Sequence, residues 1–344
     1  MSKTILVTGG AGFIGSNFVR YMLDNYPDYR ILVLDNLTYA GDLARLPATA
    51  LQHQEERFRF WYGSVCNQDL VTMLVKQSNV IVHFAAETHV TRSIFDNQLF
   101  FHTDVLGTQT LANSIVQNGG IDMFIHISTS EVYGTALAPA MTEDHPLNPT
   151  SPYASAKCGA DRLVYSYRQT YRLPSVIVRP FNQYGPLQHL EKVVPRFVTS
   201  VLLDEELTVH GKGDASRDFL HVDDTVAALD AIIHAEPEKV LGETFNIASG
   251  THRDVLSIAH DITDRMGYSR KRITYVGERP GQVARHTGDW SKINRLLGWR
   301  PRVSWEDGLQ RTIDWFKANP AAWSHQTWMR YIPIITAAGK VEMH

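Results

Sequence analysis

An apolar run, Ile5-Leu6-Val7, leads without a break into Thr8-Gly9-Gly10-Ala11-Gly12-Phe13-Ile14-Gly15, and few folds accommodate that junction. Such a run reads as a strand buried on both faces of a parallel sheet. Gly9, Gly12 and Gly15 then meet three demands: a tight turn, close approach of the backbone to a pyrophosphate, and packing of a helix on the strand. The residues from Asn17 to Leu23 continue as an amphipathic helix, with Phe13 and Ile14 in its opening turn. Its N-terminus supplies oriented N–H groups and partial positive charge to phosphate. A second strand, Arg30-Ile31-Leu32-Val33-Leu34, ends on Asp35. A carboxylate there accepts both hydroxyls of an adenosine ribose and repels a 2′-phosphate. Asn36 and Leu37 follow, with no adjacent arginine, so the expected cofactor is NAD rather than NADP.

The second constraint is the pair Tyr153 and Lys157, preceded by Ser128-Thr129-Ser130-Glu131. The spacing puts phenol and ammonium one helical turn apart on one face. A lysine so placed stabilises a phenolate and draws a tyrosine pKa from about 10 toward the working pH. The spacing alone is common; following a dinucleotide turn, it points to proton and hydride chemistry.

Alternating strands and helices continue to about residue 180. Strands are expected over 80–86, 123–128 and 175–179, with helices over roughly 102–118 and 152–171. The fold class is α/β: a Rossmann-type doubly wound parallel sheet with a smaller, mixed α/β substrate-binding lobe. Residues 1–182 are expected to form the cofactor domain, with a returning strand near 243–248. Residues 183–330 are mainly the lobe, and 331–344 a tail. Ala85 to His89 and Ser128 to Glu131 emerge at carboxyl ends of strands, where ligands of such sheets sit.

At 344 residues the chain exceeds one average domain. With 33 basic and 36 acidic side chains, neither nucleic acid nor an anionic membrane is an expected partner. Two cysteines without a Cys/His cluster indicate no disulfide framework and no metal site. The chain opens directly in a strand, and no apolar run approaches the roughly 18 residues of a membrane helix, so a cytoplasmic protein is expected.

Longer segments carry a resemblance. Asp35-Asn36-Leu37-Thr38-Tyr39-Ala40-Gly41, Ala85-Ala86-Glu87-Thr88-His89-Val90, Asn182-Gln183-Tyr184-Gly185-Pro186 and Glu191-Lys192-Val193-Val194-Pro195 belong to it. So do Arg217-Asp218-Phe219-Leu220-His221-Val222-Asp223-Asp224 and Arg279-Pro280-Gly281. The chain resembles the extended short-chain dehydrogenase/reductases of nucleotide sugars, most closely the dTDP-glucose 4,6-dehydratases. The resemblance implies that Tyr153 takes the proton of the sugar 4-hydroxyl, beside Thr129 and Lys157, while hydride leaves C4. Glu131 then removes the C5 proton, water leaves C6, and hydride returns to C6. It also implies cofactor contacts from Ser64, Val65, Ala85 and Ala86, and sugar-nucleotide contacts from Thr88, His89, Asn182, Glu191, Lys192, Arg217 and Arg285. A homodimer through a four-helix bundle of 102–118 and 152–171 is implied too, with Leu106, Leu111, Ile115, Leu163, Tyr165 and Tyr167 as compatible apolar positions.

The chain departs from that family in four places. Ser130 stands where an aspartate would protonate the leaving hydroxyl, so Glu131 would act as base and then as acid. Ser64 replaces an aspartate at adenine, Asp104 an asparagine, and Gln282-Val283-Ala284-Arg285 a His-Asp-x-Arg run. Four readings stay open: a 4,6-dehydratase on a dTDP- or UDP-hexose, a UDP-glucuronate decarboxylase, a nucleotide-sugar epimerase, and a non-catalytic NAD-binding regulator.

Overall fold

The structure, a computed structural model, describes residues 2–52, 57–277, 285–335 and 341–343. Strands β1 (Thr4–Thr8), β2 (Arg30–Asp35), β3 (Phe58–Tyr62), β4 (Val80–His83), β5 (Met123–Ile127) and β6 (Ser175–Pro180) build the central sheet. In the second lobe come β7 (Asn182–Tyr184), β8 (Leu207–His210) and β9 (Ser216–His221). Then β10 (Thr244–Ile247) returns to pair with β6. Among the described residues the sheet runs β10-β6-β5-β4-β1-β2-β3, parallel throughout. This is the doubly wound order, and it reverses between β1 and β4, where such sheets open a ligand crevice.

The unbroken apolar run of β1 has a simple cause. Ile5 and Val7 pack with Phe18 and Met22 of the Phe13–Asn25 helix and with Leu229 and Ile232 of the Val222–Ile233 helix. Leu6 faces the other layer, with Val71, Leu74, Leu111 and Ile115. Both faces are covered, so alternation is lost. A separate core of the second lobe joins Val194, Phe197 and Val198 to Ile258, Ile262, Leu309 and Ile313.

Several expectations change in detail. The fourth strand stops at His83 instead of reaching Ala86. The helix expected over 102–118 opens as a π-helical segment, Phe101–Leu106, and becomes α-helical only at Gly107–Asn118. There Asp104 turns inward to accept the Glu87 N–H at 2.7 Å, and a β-carbon at Gly107 would stand 2.5 Å from Val65. The β3 strand and the Gln68–Val75 helix add to the expected elements. Of the apolar positions assigned to a dimer face, Leu111 and Ile115 are buried in this chain's own core, with Leu163 and Tyr167 packed against it. Leu106 and Tyr165 do lie exposed, together with Phe95, Leu99, Phe101 and Tyr171. Arg279-Pro280-Gly281 and Gln282 to Ala284 fall outside the described residues. No helix among the described residues is long and apolar enough to cross a membrane.

One buried ionic network ties these pieces together. Asp161, on the Pro152–Tyr171 helix, accepts from Arg179 Nε at 2.9 Å, from Arg179 Nη2 at 3.0 Å and from the Ser128 hydroxyl at 2.8 Å. Arg179 Nη1 continues to the Tyr133 hydroxyl, which donates to Asn246 of β10 at 2.7 Å. Burial alone would raise the Asp161 carboxyl, but the hydrogen bonds and charge of Arg179, with Arg162, hold it down to about 2. Asp161→Asn strands a buried guanidinium and is expected to cost about 3–5 kcal/mol near neutrality. Because the native carboxyl is depressed, its contribution is present above the unfolded value of about 3.9 and is lost as pH falls toward the native value. Denaturant titrations should show the gap between the two proteins narrowing below about pH 4. A gap that stays constant across that range refutes the account.

Candidate active site

The crevice is a cleft of about 410 Å³ between the sheet's carboxyl edge and the second lobe. Its floor at one end is the glycine turn. Gly9 sits at φ 70°, and a β-carbon there would stand 2.6 Å from the Ala85 nitrogen, so only glycine brings this turn so close to β4. Gly12, Phe13, Ile14 and Gly15 line the same stretch, and Ala86 lies opposite. An adjoining pocket is lined by Asp35, Asn36, Ser64, Val65, Ala85 and Ala86. Asp35 Oδ2 accepts the Ala11 N–H at 2.9 Å and Oδ1 the Leu37 N–H at 2.8 Å, which fixes the carboxylate at the end of β2. These residues fit a dinucleotide: a backbone cradle that a side chain would fill, then a buried acid at the ribose position. Sequence reading missed Arg45. The fold brings it within electrostatic reach of Asp35, although its guanidinium already donates to the Ala40 carbonyl and to Gln326.

The reacting end is assembled where β5 runs out. Ser128 is anchored on Asp161, and Thr129 caps a 3₁₀ turn, Ser130–Tyr133, by accepting the Glu131 N–H at 3.2 Å. The turn ends at Gly134, at φ 68°, where a β-carbon would overlap the Asn148 carbonyl. This tight reversal holds Ser130 buried and points Glu131 into the cleft. Ser151 caps the next helix through Ala154 N–H, with Pro152 in the first turn, so Tyr153 and Lys157 face the same space.

One expectation about charge is corrected here. The Tyr153 phenol is not drawn down: the Lys157 ammonium donates to the Ile127 carbonyl at 2.7 Å and lies near Asp104. Burial instead pushes the phenol well up, with Asp104 and Glu131 adding to the rise and hydrogen bonds from Thr129 and Thr88 opposing it. Burial likewise raises the Asp104 carboxyl, with Lys157 pulling it back. Beneath them His126 is buried and held neutral, pushed down to about 3 by burial and the Lys157 charge.

Most of the substrate candidates meet in this cleft. Thr88, His89, Asn182, Glu191, Lys192 and Arg217 all line it, and His89 adopts φ 93°, a strained value for a residue with a side chain. Lys192 Nζ donates to the Thr88 hydroxyl at 3.3 Å. The Glu191 carboxylate is committed within the protein, to Arg92 at 3.0 Å and the Tyr39 hydroxyl at 2.9 Å, so its part is to hold the wall. Arg217 lies beside Glu131, Nε to Oε1 3.9 Å. Arg285 is not in the cleft lining; its guanidinium donates to the Ala138 carbonyl. The residue after it, His286, reaches the site instead, Nδ1 standing 4.0 Å from Glu131 Oε1. No sequence motif marks it.

Comparison with known proteins agrees with this geometry. Residues 6–312 match the family described as GDP-mannose 4,6 dehydratase. A low-salt glycan biosynthesis protein, Agl12, of Haloferax volcanii is 45% identical over 91% of this chain and 98% of its own length. A dTDP-glucose 4,6-dehydratase of Streptomyces niveus is 39% identical over 93% of this chain and 94% of its own. The solved dTDP-glucose 4,6-dehydratase DesIV of Streptomyces venezuelae, with NAD bound, superposes with a TM-score of 0.88 at 39% identity, covering 94% of this chain and 99% of that one. The chain therefore belongs to the GDP-mannose 4,6-dehydratase family, within the short-chain dehydrogenase/reductase type that the glycine turn, Tyr153 and Lys157 indicate.

Proposed function

We propose that this protein is an NAD-dependent 4,6-dehydratase of a dTDP- or UDP-linked hexose, giving a 4-keto-6-deoxy sugar nucleotide. One observation carries the reading: Glu131, a carboxylate, is held at the end of β5 in the same cleft as the Thr129–Tyr153 pair. A simple oxidation at C4 needs only the latter. The relatives named as dTDP-glucose 4,6-dehydratases, similar over nearly the whole chain, support it.

Gly9, Gly12 and Asp35 would hold NAD, which would supply a hydride acceptor for C4 and a hydride donor for C6. The protein does the rest. Tyr153 receives the proton of the 4-hydroxyl, with Thr129 bonded to the same phenol. Lys157 fixes the floor through Ile127. A C4 ketone acidifies the C5 proton, and Glu131 is the carboxylate placed to take it. Asn182 and Lys192, with Thr88 and His89, form the wall suited to the sugar and diphosphate; Arg217 acts first on Glu131. Residues 1–182 with β10 serve as the cofactor unit, and 183–330 mainly as the substrate lobe. The exposed apolar band of Leu106, Tyr165, Phe95, Leu99, Phe101 and Tyr171 is the face through which two copies pair in the cytoplasm.

Incubation with a panel of nucleotide sugars should give a product lighter by one water in mass spectrometry. Loss of carbon dioxide would replace the reading with decarboxylation, and an unchanged mass with epimerisation. Glu131→Gln is expected to slow turnover by ~10²–10⁴ while reduced nicotinamide absorbance builds up on adding substrate. Tyr153→Phe should show no such absorbance. Wild-type turnover in the Glu131 variant defeats the mechanism.

Asp35→Ser removes the repelling carboxylate and leaves Arg45 nearby, so the preference for NAD over NADP should fall by at least ~10-fold, about 1.4 kcal/mol. Titration of both nucleotides checks this, and an undiminished preference contradicts it. Light scattering should give a dimer for the native protein and a monomer for the Leu106→Asp, Tyr165→Asp pair. A native monomer at micromolar concentration rejects the interface.

A further inference from the structure

His286 is a polar residue of this site that no motif announces. It is fully buried, and its backbone N–H donates to Ser216 O at 3.1 Å, which pins it beside β9. Its Nε2 lies 2.6 Å from the Gly134 carbonyl. A carbonyl only accepts, so the ring proton is on Nε2 and the Nδ1 lone pair is bare. That Nδ1 is buried without a hydrogen-bond partner and stands 4.0 Å from Glu131 Oε1. An unpartnered acceptor in such a place is costly unless a donor arrives.

The donor is the protonated form of Glu131. Two lone pairs repel, so Nδ1 gains nothing from a glutamate, whereas a glutamic acid O–H completes the bond after a small side-chain rotation. We propose that His286 is a positioning residue that makes Glu131 a two-way proton carrier, holding the proton taken from C5 until it is delivered to the C6 hydroxyl. The inference rests on the dehydratase reading. The balance closes within the site. The C5–H pair becomes the C5–C6 double bond as the C6–O bond breaks, and the proton passes from C5 to Glu131 and on to the departing oxygen as water. Glu131 returns to carboxylate. Ser130 offers no carboxyl for the second transfer, and Glu191 is committed to Arg92 and Tyr39; Glu131 is the carboxylate of the cleft that lies beside His286.

The groups facing the imidazole agree. Burial keeps the ring neutral; Glu131 and the hydrogen bond to the Gly134 carbonyl favour its charged form, Arg217 of β9 and His145 oppose it, and the Phe181 ring packs edge-on. Arg217 Nε stands 3.9 Å from the same Glu131 Oε1, so a cation and a bare acceptor both face that oxygen.

Three measurements test this. In the full-length protein with cofactor, nitrogen NMR should report His286 as the neutral Nε2–H tautomer from pH 6 to 8; an imidazolium or an Nδ1–H tautomer overturns the proposal without any variant. His286→Phe should move the acidic limb of the kcat profile down by about one pH unit and lower kcat more than it changes KM. His286→Asn, which restores an acceptor near the Nδ1 position, should keep the limb at its native place. An unmoved limb in the Phe variant, or a uniform loss that Asn does not rescue, overturns it. Failure of the native protein to release water from any nucleotide sugar sinks the dehydratase reading instead, and the NMR result stands apart from that outcome.

Discussion

The pairing of Asp161 with Arg179 is the interaction on which the site's geometry hangs. It is buried, so each charge is tolerable only because the other is present and the remaining lone pairs are met. Through Ser128 it fixes the point where β5 ends; through Tyr133 and Asn246 it attaches the far side of the same turn to β10. Thr129, Ser130 and Glu131 lie between those two anchors. A pair that is costly to bury is well suited to this use, because there are few arrangements in which both charges are satisfied, and the turn is held in one of them.

The second lobe is fastened by a comparable device. Asp218 of β9 accepts the N–H groups of Ser249, Gly250 and Gly288 at 2.8, 2.9 and 3.1 Å. That carboxylate gathers the segment after β10 and the segment carrying His286 against β9, the strand that also bears Arg217. So Glu131 comes from the sheet side while Arg217 and His286, which face its Oε1, come from the other lobe. Any relative shift of the two lobes would change the balance between Arg217 and His286 at that oxygen.

What was legible in the sequence is what local rules govern. The glycine turn, Asp35, the Thr129–Glu131 segment and the Tyr153–Lys157 spacing each occupy a short stretch whose conformation follows from its own residues, and the structure places them in one cleft. The returning strand was legible because Phe245 and Ile247 alternate with Thr244 and Asn246, the period of a strand. What escaped depends on contacts between distant segments. Glu191 reads as a substrate ligand until Arg92 and Tyr39 are seen to occupy it. Arg45 is ten residues past Asp35 in sequence, but its proximity is created by the turn at Gly41. The π-helical opening at Phe101 reflects Asp104 turning to Glu87, which no periodicity encodes.

The corrected placement of Lys157 sharpens the chemistry. Its ammonium donates to the Ile127 carbonyl and lies near Asp104, while burial, with Asp104 and Glu131, raises the Tyr153 phenol. Positive charge or a polar substrate group entering the cleft would draw the phenol back down, toward the base the reaction needs. The same logic applies at Glu131, whose neighbours oppose one another. Both proton-transfer groups are thus set by what binds beside them rather than by a strong fixed partner. A reaction in which each proton must be taken up and later returned requires groups poised in that way, since a residue locked in one protonation state serves only half of the cycle.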